Sequence, residues 1–251
     1  MAKDRDIIIA CDFKSTEETV KFLDKLTRIR DEVVHCDDIT VGAGRPYVKI
    51  GMELYYAEGP AIVKKLKERG HRVFLDLKLH DIPNTVKKAM QVLGEYGVDM
   101  VNVHAAGGIE MMEAAKAGLM LGAARYADKP KLIAVTQLTS TDQETLTNQL
   151  LIDRPMEEVV KEYALNAKKA GLDGVVCSAF EAAGIHEVCG DDFLTVTPGI
   201  RFKDGSNDDQ KRVMSPAEAK EAGSDFIVVG RPVTAAERPI DAYNRCREEF
   251  L

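Results

Sequence analysis

Cysteine and long apolar runs are both scarce in this chain of 251 residues. The five cysteines are widely spaced and form no CxxC pair, which argues against a disulfide framework or a zinc site. A reducing, cytoplasmic location is the simplest expectation for such a chain. No stretch approaches the ~20 apolar residues of a membrane span, and the apolar run in MAKDRDIIIACD is too short for a signal peptide.

Basic charge is also limited. The chain has 34 Lys and Arg against 41 Asp and Glu, a formal net charge of −7, and no long basic stretch. This balance argues against DNA or RNA as a partner, although a few local arginines can still bind a small anion. GxGxxG, Walker, GxSxG and HExxH motifs are missing. His80 and His104 stand at predicted strand ends without a carboxylate cluster, so we expect hydrogen-bonded structural histidines and no metal site.

Short apolar, β-branched runs recur about every 31 residues, and each is followed by a segment with apolar residues at three- and four-residue spacing. The predicted strands are 7–12, 47–51, 72–78, 99–104, 131–136, 173–178, 193–197 and 225–230. The predicted helices are 17–30, 60–69, 83–96, 109–126, 156–170, 181–188, 216–222 and 239–249. Eight such alternations without a linker predict a single α/β domain over 1–251, a closed (β/α)8 TIM barrel. An open, doubly wound sheet is the alternative.

Two segments interrupt this rhythm. Residues 34–46 join a helix to a strand, a connection that lies on the amino-terminal face of a barrel, so we expect a surface insertion remote from chemistry. Residues 199–213 follow the seventh strand on the opposite, functional face. Their length and polarity are typical of a lid, and an ordinary solvated loop is the alternative.

The densest chemical signal is the segment LDLKLHDIP, residues 75–83. Asp76 and Lys78 are two apart on a predicted strand, so both side chains should point to the barrel mouth. Asp81 follows three residues later, and this spacing suggests an ammonium held between two carboxylates. A lysine so placed stays protonated and can serve as a general acid. The alternative is an ion-pair network that closes one end of the barrel.

Lys49 lies inside a predicted buried strand, where an unpaired charge is costly. Asp76 on the neighbouring strand is an available partner, and a lysine extending to solvent at the strand end is the alternative. Asp12 ends the first strand. It either accepts a hydrogen bond from a sugar hydroxyl or caps the next helix near Ser15 and Thr16.

Two turns have the composition of a phosphate site. TPGIR, which ends at Arg201, follows the seventh strand, and VGRP, with Gly230 and Arg231, follows the eighth. Barrels frequently bind phosphate with these two loops, where glycines let backbone N–H groups approach an anion. Ordinary turn glycines with surface arginines are the alternative.

Seven segments together resemble one protein family over nearly the whole chain: VKIGMELYYAEGP, FLDLKLHDIPNTV, VNVHAAGG, LIAVTQLTS, LDGVVCS, LTVTPGIR and IVVGRP. The chain resembles the orotidine 5′-monophosphate decarboxylases, and their bacterial branch in particular. The resemblance implies a carboxy-lyase that makes uridine 5′-monophosphate in the last step of de novo pyrimidine synthesis. It also implies a homodimer of barrels with shared active sites, and neither a metal nor an organic cofactor.

The same resemblance assigns roles to individual residues. Lys49, Asp76 and Lys78 match a charged array in one subunit, and Lys78 matches the residue that protonates C6 of the pyrimidine. Asp81, with Thr85 beside it, matches the carboxylate that the other subunit supplies. The implied substrate-binding residues are Asp12 for the ribose, Thr139 for the pyrimidine, and Gln210, Gly230 and Arg231 for the phosphate, with Arg201 at the base of that loop.

Two rival functions share features with this sequence but fit it less well. Metal-dependent sugar-phosphate decarboxylases and aldolases share the DxKxxD pattern, but their metal site needs an acid where this chain has Lys49. A catalytically silent phosphate-ligand sensor has no physical reason to keep four mutually strained charges, namely Lys49, Asp76, Lys78 and Asp81.

Overall fold

Eight parallel strands form a closed barrel in the computed structural model, which describes residues 5–33, 45–203 and 213–251. Each strand pairs with the next, and β8 pairs with β1 to complete the ring. The strands are β1 Asp6–Ala10, β2 Tyr47–Gly51, β3 Val73–Leu79, β4 Met100–His104, β5 Lys131–Val135, β6 Gly174–Val176, β7 Leu194–Thr197 and β8 Phe226–Val229. The predicted TIM barrel is confirmed, and the open sheet is wrong.

Helices follow the strands around the outside of the barrel. Within the described residues they are α1 Thr16–Val33, α2 Met52–Glu58, α3 Ala61–Glu68, α4 Pro83–Glu95, α5 Gly108–Gly122, α6 Gln143–Asn148, α7 Met156–Lys169, α8 Ala182–Cys189, α9 Pro216–Glu221, α10 Arg231–Thr234 and α11 Pro239–Phe250. Every predicted helix is present within a few residues. The sequence reasoning missed α2, α6 and α10, each too short to show a helical period.

Apolar side chains fill both the barrel and the layer outside it. Ile7, Ile8 and Ile9 are consecutive and fully buried, because Ile8 points into the barrel while its neighbours face the helices. Inside the barrel, the Tyr47 and Phe226 rings meet edge to face at 6.3 Å between centroids. The interior is therefore packed, and a ligand can enter only at an end of the strands.

Helices α4 and α5 pack unusually closely. A Cβ atom at Gly118 would collide with the backbone carbonyl of Lys87, and one at Gly122 would collide with that of Gln91. Only glycine allows this approach of the two backbones. Helix α4 begins at Pro83, two residues after Asp81.

Three sequence predictions concern residues that lie outside the described ranges. Residues 34–44, most of the predicted insertion, lie outside them, as do residues 204–212, which include Gln210 and most of the predicted lid.

In the part of the chain that the structure does describe, no helix is both long and apolar enough to cross a membrane. Cys11, Cys177, Cys189 and Cys246 are buried free thiols.

Candidate active site

A cavity of about 470 Å³ opens at the carboxyl end of the strands. Polar residues from β2, β3 and the loops after β1, β5, β7 and β8 line it above the apolar floor formed by Ala10, Phe74 and Val228. The predicted site residues that line this cavity are Asp12, Lys49, Asp76, Lys78, Thr139, Arg201, Gly230 and Arg231. The fold thus brings together residues that lie up to 219 positions apart in the sequence.

Lys49 lies between two carboxylates. Its Nζ atom is 3.1 Å from Asp12 Oδ1 and 3.3 Å from Asp76 Oδ2. The Lys49 and Asp76 side chains are each 12% exposed, whereas that of Asp12 is 61% exposed at the mouth. The expected pairing of Lys49 with Asp76 is confirmed, and a lysine extending to solvent is wrong.

Asp12 is not the cap of helix α1. The Ser15 hydroxyl takes that role, since its Oγ accepts a hydrogen bond from the backbone N–H of Glu18 at 3.2 Å. Of the two interpretations of Asp12, only a role in the cavity fits its position.

Lys78 pairs with the same carboxylate, with its Nζ 2.7 Å from Asp76 Oδ1. The two side chains do not meet through the regular alternation of a β-strand, as their spacing suggested. Lys78 has a left-handed backbone with φ +53°, and the pairing of β3 with β4 shifts between Leu75 and Leu79. A β-bulge therefore aims the lysine at Asp76.

Asn102 on β4 belongs to this cluster, and the sequence reasoning missed it. Its Nδ2 donates to Asp76 Oδ1 at 2.6 Å, and its Oδ1 accepts from the backbone N–H of Lys78 at 2.8 Å. A polar residue between the buried Val101 and Val103 was the available signal. Asn102 carries no charge, so it was not among the acidic and basic residues considered as candidates.

The mutual charges set the protonation of this cluster. Burial raises the pKa of Asp76, but the ammonium groups of Lys49 and Lys78 and the hydrogen bonds from Lys78 and Asn102 outweigh it, so the pKa lies below its ordinary value. Burial lowers the pKa of Lys49, yet the Asp76 and Asp12 carboxylates more than compensate, and its pKa is raised. Asp76 is thus a carboxylate and Lys49 an ammonium at neutral pH.

The loops after β7 and β8 line the same cavity, as the phosphate prediction required. Gly199 has φ +83°, a conformation that glycine adopts readily, and it lies two residues before Arg201. Gly230 precedes helix α10, which begins at Arg231. Two guanidinium groups and two glycines thus stand at the strand ends where barrels commonly bind phosphate.

Asp81 and Thr85 lie outside the cavity of their own chain. Both are exposed, and Asp81 Oδ1 accepts a hydrogen bond from the backbone N–H of Ile82 at 2.7 Å. Among the residues that the structure describes, Asp81 makes no ion pair. The spacing predicted that the Lys78 ammonium lies between the Asp76 and Asp81 carboxylates. Within one chain this arrangement is not present, because Asp81 lies outside the cavity.

The histidines near the mouth contact each other. The His80 and His104 rings lie 5.9 Å apart between centroids. Burial, with the nearby charges of His80 and Lys78, keeps the pKa of His104 below its ordinary value. Across 5–33, 45–203 and 213–251, no three His, Cys, Asp or Glu side chains group in a way that could hold a metal ion.

Comparison with known proteins places this site in a family. The profile of the orotidine 5′-phosphate decarboxylase / HUMPS family matches residues 38–246. The chain belongs to this family. An orotidine 5′-phosphate decarboxylase of Geobacillus sp. (strain WCH70) is 55% identical over 243 residues, which cover 97% of this chain and 95% of the relative. The one from Bacillus caldolyticus is 55% identical over 244 residues, 97% of this chain and 93% of that protein.

A solved structure agrees with these sequence matches. The crystal structure of orotidine 5′-phosphate decarboxylase from Lactobacillus acidophilus superposes with a TM-score of 0.83 at 42% identity, covering 98% of this chain and 99% of that chain. The orotidine 5′-phosphate decarboxylase / HUMPS family match includes strands β2 to β8, and so includes the segments that carry Lys49, Asp76, Lys78 and Asn102.

Proposed function

We propose that this chain decarboxylates orotidine 5′-monophosphate to uridine 5′-monophosphate, the last step of de novo pyrimidine synthesis, in the cytoplasm. The observation that carries the proposal is the Lys49–Asp76–Lys78 array, which faces a cavity that also presents Arg201 and Arg231. An ion-pair network that merely closed the barrel end would leave no cavity beside Lys78.

Lys78 is the proposed proton donor. Loss of CO₂ leaves a carbanion at C6 of the pyrimidine, with little resonance stabilisation. An ammonium fixed beside C6 stabilises the developing negative charge and then delivers a proton to that carbon. Asp76 holds this ammonium at 2.7 Å and would lie near the departing carboxylate.

The remaining cavity residues fit the other parts of a nucleotide. Asp12, exposed at the mouth, is the proposed partner of the ribose hydroxyls, and Thr139 that of the pyrimidine. Arg201, Gly230 and Arg231 would hold the phosphate through charge-assisted and backbone hydrogen bonds. Gln210, outside the described residues, completes this proposed phosphate site.

A homodimer with shared sites gives Asp81 a role. The aspartate is exposed next to Ile82, which is 67% exposed, and both residues come just before helix α4. We infer that Asp81 and Thr85 enter the cavity of the partner subunit, where the Asp81 carboxylate would approach the partner's lysine array. Closed two-fold dimers make such an exchange reciprocal.

A metal-dependent mechanism fits this site poorly. The ammonium of Lys49 already takes the place between Asp12 and Asp76 where a divalent cation would have to lie. A cation there would be repelled by Lys49 and Lys78 together. We therefore infer a reaction that needs no metal, and the resemblance to the decarboxylases implies that it needs no organic cofactor either.

Full decarboxylase activity is expected to survive exhaustive chelation, because the site offers an ammonium in place of a cation. Purified protein would be incubated with orotidine 5′-monophosphate and EDTA while substrate absorbance is followed and the product is identified by chromatography. Formation of uridine 5′-monophosphate at an unchanged rate is the expected result. Loss of activity that Mg²⁺ restores would favour the sugar-phosphate branch, and no turnover with or without metal would refute the proposed function.

Substitution of the proposed phosphate ligand should weaken nucleotide binding more than turnover. Arg231→Ala removes a charge-assisted bond of about 1.5–3 kcal/mol, so KM should rise roughly ten- to hundredfold. Binding of uridine, which has no phosphate, should change little. Arg238→Ala is the control, since this exposed arginine pairs with Asp241. Equal KM values for the two variants would remove Arg231 from the phosphate site.

A further inference from the structure

Asn102 is a buried amide in a place where its neighbours are apolar. It is 1% exposed, and Val101 and Val103 on either side of it are fully buried. A buried amide destabilises a protein unless its donors and acceptor are hydrogen-bonded. Both bonds described above go to residues of the charged array, so the position of this side chain is tied to the site.

The orientation of the Asn102 amide is fixed by chemistry. A backbone N–H can only donate, so the atom facing Lys78 N at 2.8 Å must be Oδ1. Nδ2 then faces Asp76 Oδ1 at 2.6 Å, where a carboxylate can only accept. The two contacts require the same orientation, and neither survives rotation of the amide by 180°.

This amide also fixes the plane of the Asp76 carboxylate. Oδ1 accepts from both Asn102 Nδ2 and Lys78 Nζ, and Oδ2 faces Lys49 Nζ. Rotation of the carboxylate out of this plane would break the bond to Asn102. The amide thus holds Asp76 in the rotamer that separates the two ammonium groups onto different oxygens.

The backbone of Lys78 depends on the same side chain. Strand β3 advances from Leu75 to Leu79 while β4 advances only from Val101 to Val103, so the ladder cannot pair every residue between them. Asn102 lies opposite this bulge and accepts the N–H of Lys78, whose φ is +53°. A side chain therefore replaces the missing ladder bond at the residue that bears the proposed proton donor.

We propose that Asn102 is a positioning residue of the decarboxylation, which holds the Asp76 carboxylate and the Lys78 backbone in the arrangement that the reaction uses. This inference rests on the proposed function and deepens it. Asn102 acts through Asp76 and Lys78, and the reaction would lose rate when they are displaced, because misplacement by about 1 Å can cost a hundredfold.

The first test is Asn102→Leu, which keeps the branching and the number of heavy atoms of the side chain and removes both hydrogen bonds. We expect kcat to fall roughly ten- to hundredfold, while KM and the Kd of uridine 5′-monophosphate stay within about threefold, because the proposed phosphate ligands are untouched. Val101→Ala is the matched control on the same strand. It should lower the unfolding temperature by at least as much and leave kcat unchanged.

The second test is Asn102→Asp, which keeps an acceptor for the Lys78 N–H and sets a carboxylate against Asp76. At low pH the two acids share a proton and the bridge re-forms, so kcat should recover as pH falls. The charges that face this pair are those of Lys49 and Lys78, with Asp12 beyond Lys49 and His104 on β4. The Leu variant has nothing to protonate and should show no recovery.

Turnover by Asn102→Leu within twofold of wild type, or identical pH profiles for the Leu and Asp variants, would refute the proposal. If neither variant folds, Asn102 is a core residue only and the proposal is equally wrong. Wild-type protein without decarboxylase activity refutes the proposed function instead. The crystal structure of Asn102→Leu then decides about Asn102, since an unchanged Asp76–Lys78 contact contradicts a positioning role.

Discussion

Lys78→Ala is expected to lower kcat by at least 10²–10⁴-fold, the range typical of a lost general acid. The loss should be larger still if the ammonium also stabilises the carbanion. The variant removes the ion pair at 2.7 Å from Asp76 but none of the proposed phosphate ligands. The Kd of uridine 5′-monophosphate should therefore change much less than kcat. Steady-state kinetics with orotidine 5′-monophosphate gives kcat, and a binding isotherm with uridine 5′-monophosphate gives Kd.

A lysine of the same sequence neighbourhood provides the control for this experiment. Lys87 is exposed on helix α4, and Lys87→Ala should retain wild-type kcat and KM. If Lys78→Ala also turned over at a near-normal rate, then the proposed role of the DLKLHD segment would be wrong.

Mixing two inactive variants should restore activity if Asp81 serves the partner subunit. Lys78→Ala and Asp81→Asn would be combined under conditions that allow subunit exchange. In a mixed dimer with shared sites, one active site contains both substitutions and the other contains neither. Random pairing makes about half of the dimers mixed, so activity should return to roughly a quarter of wild type by two-fold symmetry.

The matched control mixes Lys78→Ala with Asp76→Asn. Both residues line the cavity of their own chain, so every site in that mixed dimer keeps one lesion and no activity should return. Failure of the Lys78→Ala and Asp81→Asn mixture, with exchange shown by differently tagged subunits, would place Asp81 outside the partner's site.

The sequence predicted the barrel well because its strands are buried on both faces. The run Ile7–Ile9 has no polar position, and such a pattern is typical of parallel strands covered by helices. Helix α10 was missed because four residues are too few to show a period. The charged residues at the strand ends were found because a buried charge in an apolar run is conspicuous.

The internal geometry of the site was harder to predict. Strand alternation assumes a regular ladder, and the bulge at Lys78 depends on an amide 24 residues further along the chain. No local pattern contains that contact. Spacing likewise cannot say whether Asp81 belongs to its own cavity or to another, because this depends on a second chain. Gln210 and the predicted lid stay predictions.

The left-handed backbone of Lys78 carries a conformational cost at the residue that is proposed to donate the proton. A non-glycine residue in this conformation costs of order 1 kcal/mol or more, and glycine would adopt φ +53° without that cost. Backbone conformation alone would therefore favour glycine at this position, and the ion pair with Asp76 at 2.7 Å opposes that substitution. Searches for thermostable variants of this protein should score turnover as well as stability, because the two need not change together at this residue.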